Sequence, residues 1–249
     1  MERRILGIDV GGSSIKAGVV DVEAGKLLGA LISAPTPQPS RPETMLPVFA
    51  TLAQRLPQAG GPIGLAFPSV VQRGTIRTAA NIDPAWIGVE GAPLVQQHLG
   101  RPAIFLNDAD AAGLAEVGLG AGKGVAGTVI MLTFGTGIGT ALFIDGILFP
   151  NTELGHMEVN GVDAEKLASA HARTAEHLDW PAWIARVNVY LQRMEALFWP
   201  DLFILGGAVS ERFAEFSPLL RSRAAIQPAH FAGQAGVIGA ALAAAGASG

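Results

Sequence analysis

The sequence of 249 residues contains no cysteine. Disulfide bonds and thiolate metal centres are therefore excluded, and any metal ion must be bound by oxygen or imidazole ligands. Charged residues are scarce, at 15% of the chain, yet no stretch approaches the roughly 18 consecutive apolar residues of a transmembrane helix. Because 49% of the residues are hydrophobic, the chain can bury a substantial core. We expect a protein that folds unaided and does not span a membrane.

The N-terminal segment lacks the pattern of a secretory signal. Asp9 follows the charged residues 2–4 too closely for an apolar h-region, and no small-residue cleavage site follows. Together with the absence of cysteine, this predicts a cytoplasmic protein. The net charge is −4 and no run of Lys and Arg occurs. Since duplex binding requires a concentrated basic face, no nucleic-acid partner is expected.

The apolar pattern predicts an α/β fold. Three short β-rich segments open the chain as an antiparallel meander, at residues 5–10, 14–22 and 27–33. The same criteria predict later strands at residues 63–67, 103–106, 127–134, 137–144 and 202–205, and helices at 42–55, 92–99, 108–118, much of 164–199, and 236–245.

The two halves of the chain open with related hairpins. Residues 8–18 and 132–140 each contain a strand, a turn of glycine and hydroxyl residues, and a returning strand, which indicates a faint internal duplication. We infer an N-terminal lobe at residues 1–107 and a C-terminal lobe at residues 108–249, with a cleft between them. The last helix, at about residues 236–246, is expected to pack back on the first lobe.

The two glycine turns are candidate phosphate-binding sites. Walker and dinucleotide loops lead from a strand into a helix, whereas a strand follows the turn at residues 11–14. Bare backbone amides and a serine hydroxyl could still hold a phosphate there, and an ordinary tight hairpin is the alternative. The second turn favours phosphate binding, because two such turns can hold a phosphate chain from both sides. The residues assigned to the phosphoryl donor are Asp9, Gly11, Gly12, Ser13, Ser14, Lys16, Thr133, Gly135, Thr136, Gly137, Gly206 and Gly207.

Two of these assignments have specific alternatives. Asp9 precedes the first turn and could hold Mg²⁺ through water, since that ion takes few protein carboxylates, or it could simply cap the turn. Gly206 and Gly207 lie at a strand-to-helix turn, where a base or ribose could rest on bare backbone. Tight packing would explain the two glycines equally well.

The pair Asn107 and Asp108 directly follows a predicted buried strand. Phosphoryl transfer to a hydroxyl needs positioning, charge neutralisation and a carboxylate near the attacking oxygen. Asp108 at a strand end could accept the hydroxyl proton. Asn and Asp are also favoured N-cap residues, so helix capping is the alternative.

Other polar residues could bind a sugar. Glu153, His156 and Glu165 follow the second hairpin, and Glu and His side chains can bind vicinal hydroxyls. A glycine between Glu153 and His156 would permit close approach to a sugar ring, and a solvated loop is the alternative. The order and number of these residues do not match a zinc-protease motif, and no zinc is expected. Asn81 could contact a sugar or cap a turn.

Taken together, these segments resemble the ROK family of sugar kinases and repressors over nearly the whole chain. Within that family, the chain is most similar to the polyphosphate-dependent glucokinases and glucomannokinases. The resemblance rests on GIDVGGSSIK (7–16), RTAANID (77–83) with WIG (86–88), LNDADAAG (106–113), GTGIGT (135–140) and ELGH (153–156). The run at 77–88 is the most discriminating for the polyphosphate branch.

The resemblance implies the two-lobed, actin-like ATPase fold, related to ribonuclease H, and a kinase that phosphorylates the 6-hydroxyl of glucose. It implies Mg²⁺ as cofactor, polyphosphate or ATP or both as donor, and a homodimer; a strictly ATP-dependent glucokinase and a non-catalytic sugar sensor are the alternatives. Asp108 is then the general base. The implied glucose ligands are Asn81, Asn107, Asp108, Glu153, His156 and Glu165.

Two departures from the family pattern bear on these expectations. The Cys-rich zinc motif of most ROK proteins is absent, as it is in the polyphosphate branch. Ser69 stands where the family usually has glycine. The family's backbone conformation at this position is therefore in doubt, because a residue with a Cβ tolerates positive φ poorly.

Only a few residues precede Asp9, which leaves no room for a repressor's DNA-binding domain.

Overall fold

A computed structural model of the protein describes residues 3–247. These residues form two compact α/β units. The first ends at Ala115 and resumes at Gln234, and the second comprises residues 116–233. The boundary between the lobes was predicted at residue 107, which directly precedes the helix Asp108–Leu119. The chain passes from the first unit to the second within that helix. No helix within the described range is long and apolar enough to cross a lipid bilayer.

The first unit contains strands β1 (Arg4–Val10), β2 (Ser14–Asp21), β3 (Lys26–Leu27), β4 (Ile32–Pro35), β5 (Ile63–Phe67), β6 (Val71–Gln72), β7 (Thr75–Ile76) and β8 (Ala103–Asn107), with helices α1 (Pro42–Gln54), α2 (Gly91–Leu99) and the start of α3 (Asp108–Leu119). The second unit contains β9 (Thr128–Phe134), β10 (Ile138–Ile144), β11 (Ile147–Phe149), β12 (Glu158–Val159), β13 (Val162–Asp163), β14 (Leu202–Gly206) and β15 (Ala225–Pro228), with α4 (Ala164–Ala168), α5 (Ala170–Ala175), α6 (Trp180–Phe198) and α7 (Phe213–Phe216). The final helix, α8 (Ala235–Gly246), belongs to the first unit.

The main sheets of the two units have the same topology. The strand order is β3-β2-β1-β5-β8 in the first and β11-β10-β9-β14-β15 in the second. In each, the opening hairpin is antiparallel and the two following strands are parallel to its first strand. The central strands β5 and β14 are buried along their whole length, which their continuous apolar sequences anticipate. This shared topology is the structural counterpart of the faint sequence duplication.

The meander prediction needs one correction. The predicted strand at residues 27–33 is two short strands, β3 and β4, and both pair with β2. Gly29 between them has φ of +90°, a conformation that interrupts an extended strand. The alternating apolar residues on either side concealed this break.

The helical stretch predicted at residues 164–199 is divided into three helices. Asp163, Ser169 and Asp179 each accept a hydrogen bond from a backbone N–H in the first turn of the next helix. Each side chain therefore satisfies a donor that would otherwise be unpaired at a helix start. The long helix α6 buries Trp183 and Tyr190 in the core of the second unit.

Helix α8 packs unusually closely on the first sheet because both surfaces are built from small residues. A Cβ added to Gly64 on β5 would overlap the carbonyl oxygen of Ala240, and one on Gly7 of β1 would overlap that of Val237. The helix has the composition this contact requires, with alanine or glycine at most of its positions. It contacts β1, β2, β5 and β8.

We predict that Gly64→Ala destabilises the protein strongly, because the new methyl group must displace the backbone of α8. Overpacking a core typically lowers the free energy of unfolding by about 1–3 kcal/mol. We expect a loss at the upper end of this range, because the new methyl group would meet backbone atoms rather than a movable side chain. Gly60→Ala is the matched control, since a Cβ there meets no heavy atom within 4 Å. Melting temperatures compare the two variants. Equal melting temperatures would contradict the close packing of α8.

Candidate functional site

The first glycine turn joins β1 to β2 and is held by a buried threonine. The N–H of Gly11 donates to the carbonyl oxygen of Ser14 at 2.9 Å. Thr36 Oγ1 donates to the Gly11 carbonyl oxygen at 2.6 Å, and the Thr36 N–H donates to the Ser13 carbonyl oxygen at 3.1 Å. Ser13 is exposed at the tip of the turn. The geometry of the turn is therefore fixed by its hydrogen bonds to the surrounding chain.

Asn81 lies directly against this turn. A Cβ added to Gly12 would be 3.2 Å from the Asn81 carbonyl oxygen and 3.4 Å from its Cβ. A predicted donor residue and a predicted sugar ligand are thus in contact within the first unit. The Asn81 side chain is exposed.

The loop that carries Asn81 is anchored by a buried tryptophan. Trp86 Nε1 donates to the Ser40 carbonyl oxygen at 2.9 Å, and the Ser40 hydroxyl accepts from the N–H of Asp83 at 3.0 Å. The Trp86 ring packs edge-on against Phe67, with centroids 4.9 Å apart. Core packing therefore fixes the position of an otherwise exposed polar loop.

Asp9 lies at the end of β1, opposite Lys16 on β2. Burial raises the pKa of Asp9, and the Lys16 ammonium opposes this by a smaller amount. The first turn of α8 covers the carboxylate: a Cβ on Gly236 would lie 2.7–2.9 Å from its Cγ and both oxygens. Glycine at this position therefore leaves space for the Asp9 carboxylate.

Asn107 and Asp108 take different places at the start of α3. Asn107 Oδ1 accepts from the N–H groups of Ala109 and Asp110, at 2.8 and 3.0 Å, so Asn107 performs the capping role considered for the pair. Asn107 Nδ2 also donates to the Ser69 carbonyl oxygen at 3.2 Å. Asp108 Oδ1 lies 2.9 Å from the N–H of Ala109.

Ser69 fits its turn without backbone strain. It is absent from the described residues with positive φ, so the family's usual glycine is not required here. The Ser69 hydroxyl donates to the Thr78 carbonyl oxygen at 2.7 Å, and Thr78 Oγ1 accepts from the N–H of Val70 at 2.9 Å. Ser69 therefore connects the loop of Asn81 to Asn107.

The second glycine turn joins β9 to β10 and repeats the arrangement of the first. The N–H of Gly135 donates to the Gly137 carbonyl oxygen at 3.0 Å, and the N–H of His171 donates to the Gly135 carbonyl oxygen at 3.0 Å. A Cβ on Gly137 would overlap Oε2 of Glu165. Gly135 and Thr136 are exposed at the tip. Again a predicted donor turn lies directly against a predicted sugar ligand.

The remaining donor assignments in the second unit lie beside this turn. Thr133 on β9 pairs in register with Gly206 at the end of β14. Gly207 has φ of +81°, and a Cβ there would overlap the Phe134 carbonyl oxygen. Close packing therefore requires glycine at position 207.

Glu153, His156 and Glu165 form one polar cluster. His156 Nε2 lies 3.9 Å from Glu153 Oε2, and His156 Nδ1 lies 3.8 Å from Glu165 Oε1. The nearest partner of His156 is Asp163, whose Oδ2 is 3.0 Å from Nδ1. His156, Asp163 and Glu165 offer ligand atoms within 4.8 Å of one another, a spacing that a metal ion could use. The hydrogen bond to Asp163 accounts for this spacing without an ion.

The surroundings of His156 and Glu153 shift the pKa values of these two groups. The hydrogen bond to Asp163 is the largest cause of a raised His156 pKa, with smaller contributions from Glu165 and Glu153. Partial burial raises the pKa of Glu153, and the His156 charge opposes this shift. The cluster therefore favours a positive charge on His156.

The position of this cluster depends on residues that the sequence analysis did not select. Thr140 Oγ1 donates to the Thr152 carbonyl oxygen at 2.6 Å and accepts from the N–H of Leu154 at 3.1 Å. Tyr190, the single tyrosine of the chain, donates to the Leu154 carbonyl oxygen at 3.1 Å. In the sequence, only the occurrence of a hydroxyl residue within an apolar stretch could have indicated that Thr140 or Tyr190 forms such a buried hydrogen bond.

Gly155 is required for close packing within the second unit. A Cβ at this position would overlap the carbonyl oxygen of Ile138 on β10. The close approach that requires glycine is therefore to the neighbouring strand, and it holds the short 3₁₀ turn Leu154–His156 against the sheet.

Comparison with known proteins gives consistent matches. The model of the ROK family matches residues 5–172. The chain is 45% identical to a polyphosphate glucokinase of Mycobacterium tuberculosis over 97% of its length and 91% of that protein, and 43% identical to one of Mycobacterium leprae over 96% and 74%.

Solved structures match over nearly the whole chain. The inorganic polyphosphate/ATP-glucomannokinase of Arthrobacter sp. strain KM has a TM-score of 0.92 and 46% identity, covering 97% of this chain and 98% of that one. A ROK family glucokinase from Streptomyces griseus, in complex with glucose and AMPPNP, has a TM-score of 0.82 and 25% identity, covering 96% and 98%. These matches confirm the predicted fold class, the two-lobed actin-like ATPase fold.

We predict that Asp9→Asn raises the melting temperature at pH 8. Because burial raises the Asp9 pKa above its usual 3.8, ionisation of Asp9 costs stability as the pH rises above that value. The neutral amide removes this cost, and each kcal/mol regained corresponds to about 2–4 °C. The advantage should disappear as the pH falls toward about 4. Glu23→Gln is the control, because it removes one carboxylate charge at an exposed position. A lower melting temperature for Asp9→Asn at pH 8 would contradict the burial cost.

Proposed function

The chain belongs to the ROK family, and from this premise we propose that it is a glucokinase that uses inorganic polyphosphate, ATP or both. The reaction transfers a phosphoryl group to the 6-hydroxyl of glucose. The observation that carries the proposal is the near full-length match to polyphosphate glucokinases and to a polyphosphate/ATP-glucomannokinase. The position of Asn81 beside the first glycine turn and of Glu165 beside the second supports it.

In the first unit, we assign Asp108 as the general base. It directly follows strand β8, beside Asn107, which accepts from two N–H groups in the first turn of α3. It would accept the proton of the 6-hydroxyl as the oxygen attacks the terminal phosphorus of the donor, while the bond from that phosphorus to the remaining phosphate chain breaks and the shortened donor leaves. Asn81 and Asn107 are proposed to bind other sugar hydroxyls.

In the second unit, Glu153, His156 and Glu165 are proposed to bind sugar hydroxyls. Each of the two carboxylates lies within 4 Å of the imidazole, and together the three groups can accept from and donate to vicinal hydroxyl groups. Each glycine turn exposes backbone at its tip, at Ser13 in the first unit and at Gly135 and Thr136 in the second, where N–H groups are proposed to bind the phosphates of the donor.

Asp9 fits the proposed magnesium site. Mg²⁺ is bound in kinases by one or two carboxylates together with water and substrate phosphates, and Asp9 supplies a carboxylate close to the first glycine turn. When bound, the ion would neutralise charge on the transferred phosphoryl group. The space beside Gly236 allows the carboxylate to keep its position.

The proposal includes a cytoplasmic homodimer. Use of a phosphorylated donor such as ATP favours the cytoplasm, and the family resemblance implies the dimer. Light scattering on the purified protein measures the subunit number directly.

The donor is tested by measuring initial rates of glucose 6-phosphate formation with Mg²⁺ and either purified polyphosphate or ATP. Activity with polyphosphate supports the proposal in full. Activity with ATP alone would indicate the strictly ATP-dependent alternative. Glucose binding by calorimetry with no turnover on either donor would contradict a kinase and favour a sugar sensor.

We predict that Asp108→Asn lowers kcat by about 10²–10⁴-fold, the usual contribution of a general base. Glucose affinity, measured by calorimetry, should change little, because the amide keeps the shape of the side chain. Glu43→Gln, on the exposed side of α1, is the control for loss of one carboxylate. A well-folded Asp108→Asn variant with near-normal kcat would exclude Asp108 as the base.

We also predict that Gly236→Ala raises the Mg²⁺ concentration needed for half-maximal activity, because the methyl group displaces the Asp9 carboxylate. In a helix, alanine alone should stabilise relative to glycine by up to about 1 kcal/mol. Gly246→Ala in the same helix meets no atom within 4 Å and is the matched control. An unchanged Mg²⁺ dependence in Gly236→Ala would show that Asp9 does not bind the ion.

A further inference from the structure

We propose that Asp163 is a positioning residue for sugar binding, which orients His156 and Glu165 through the two oxygens of one carboxylate. The inference deepens the proposed function and rests on it for the identity of the sugar. Asp163 lies at the end of β13, outside the set of residues selected as sugar ligands.

One oxygen of the carboxylate controls the His156 ring. Asp163 Oδ2 lies 3.0 Å from His156 Nδ1. An ionised carboxylate can only accept, so Nδ1 must carry the proton. When the ring is neutral, Nε2 is then an acceptor for a hydrogen bond from a sugar hydroxyl, and when the ring is protonated, Nε2 donates to a hydroxyl oxygen. The contact therefore sets both the tautomer and the direction of the ring.

The other oxygen positions Glu165. Asp163 Oδ1 accepts from the Glu165 N–H at 3.1 Å and thereby caps α4. Glu165 lies in the first turn of that helix, and its carboxylate faces the bare backbone of Gly137. A single side chain thus links the imidazole, the carboxylate and the second glycine turn.

The backbone around Asp163 is rigid enough for this purpose. Asp163 pairs with Glu158 in the two-stranded ribbon β12–β13, whose turn residues Asn160 and Gly161 both have positive φ. The N–H of Ala164 donates to the Met157 carbonyl oxygen at 3.0 Å. These hydrogen bonds hold the ribbon against the segment that carries His156.

Without the Asp163 carboxylate, the His156 ring would lose its nearest partner. The next acidic groups, on Glu153 and Glu165, are 3.9 and 3.8 Å away and are themselves proposed to bind the sugar. A ring drawn toward either would compete with substrate for that carboxylate. Loss of such orienting contacts costs about 10–100-fold in ligand affinity at metal sites, and a sugar site should follow the same logic.

Asp163→Asn tests the inference sharply. The asparagine oxygen can still cap α4, while its NH₂ group then faces His156 Nδ1 and can only donate. We expect His156 to change from the Nδ1–H to the Nε2–H tautomer, read from ring ¹⁵N shifts at pH 8–9. The chain has five histidines, so the His156 signals are identified by their loss in His156→Gln.

The kinetic expectation is a rise of about tenfold in the KM for glucose, with a smaller change in kcat and an unchanged KM for the phosphoryl donor. Asp179→Asn is the matched control: Asp179 caps α6 by accepting from the Ala182 N–H, and it forms no ion pair or hydrogen bond with a histidine within residues 3–247. It should leave the tautomer and the KM for glucose unchanged.

An Nε2–H tautomer in the parent protein, or an Asp163→Asn variant with unchanged tautomer and KM, would overturn the inference. The tautomer is measured without substrate. If the parent protein phosphorylates no glucose, the proposed function fails, while the tautomer change still decides whether Asp163 orients His156.

Discussion

The proposed site depends, in each unit, on the close approach of a glycine turn to a residue proposed to bind sugar. Gly12 lies beside Asn81 and Gly137 beside Glu165, and at neither turn is there space for a Cβ without displacement of the neighbour. The backbone proposed to bind phosphate and the residue proposed to bind sugar are therefore adjacent in each unit. Phosphoryl transfer depends largely on such positioning, because the reaction needs little covalent assistance from the protein.

The contacts are maintained by hydrogen bonds between segments distant in sequence. In the first unit, Ser69 bonds both to Thr78 near Asn81 and to Asn107 at the start of α3. In the second unit, Thr140 and Tyr190 bond to the short turn that carries His156. Polar groups that are buried and fully paired specify one geometry, because each unpaired alternative costs roughly 1–3 kcal/mol. These supporting hydrogen bonds therefore fix the geometry of the segments that carry the proposed ligands.

Local sequence pattern predicted both hairpins and the capping pair at α3, because alternation, glycine turns and N-cap preferences act over a few residues. It did not predict the residues that support them. Thr36 bonds to Gly11 across 25 positions. No local pattern indicated the contact of Asp163 with His156 or the packing of Gly155 against Ile138. Such partners are set by tertiary packing, which leaves no periodic signal in the chain.

The proposed mechanism requires Asp108 to face the 6-hydroxyl of glucose. A crystal structure of the protein with glucose and a non-hydrolysable ATP analogue would locate both groups. We expect the glucose O6 atom to lie about 2.6–3.2 Å from an Asp108 carboxylate oxygen, with phosphate oxygens against the amides of the glycine turns. Glucose bound with O6 directed away from Asp108, or phosphates bound far from both turns, would contradict it.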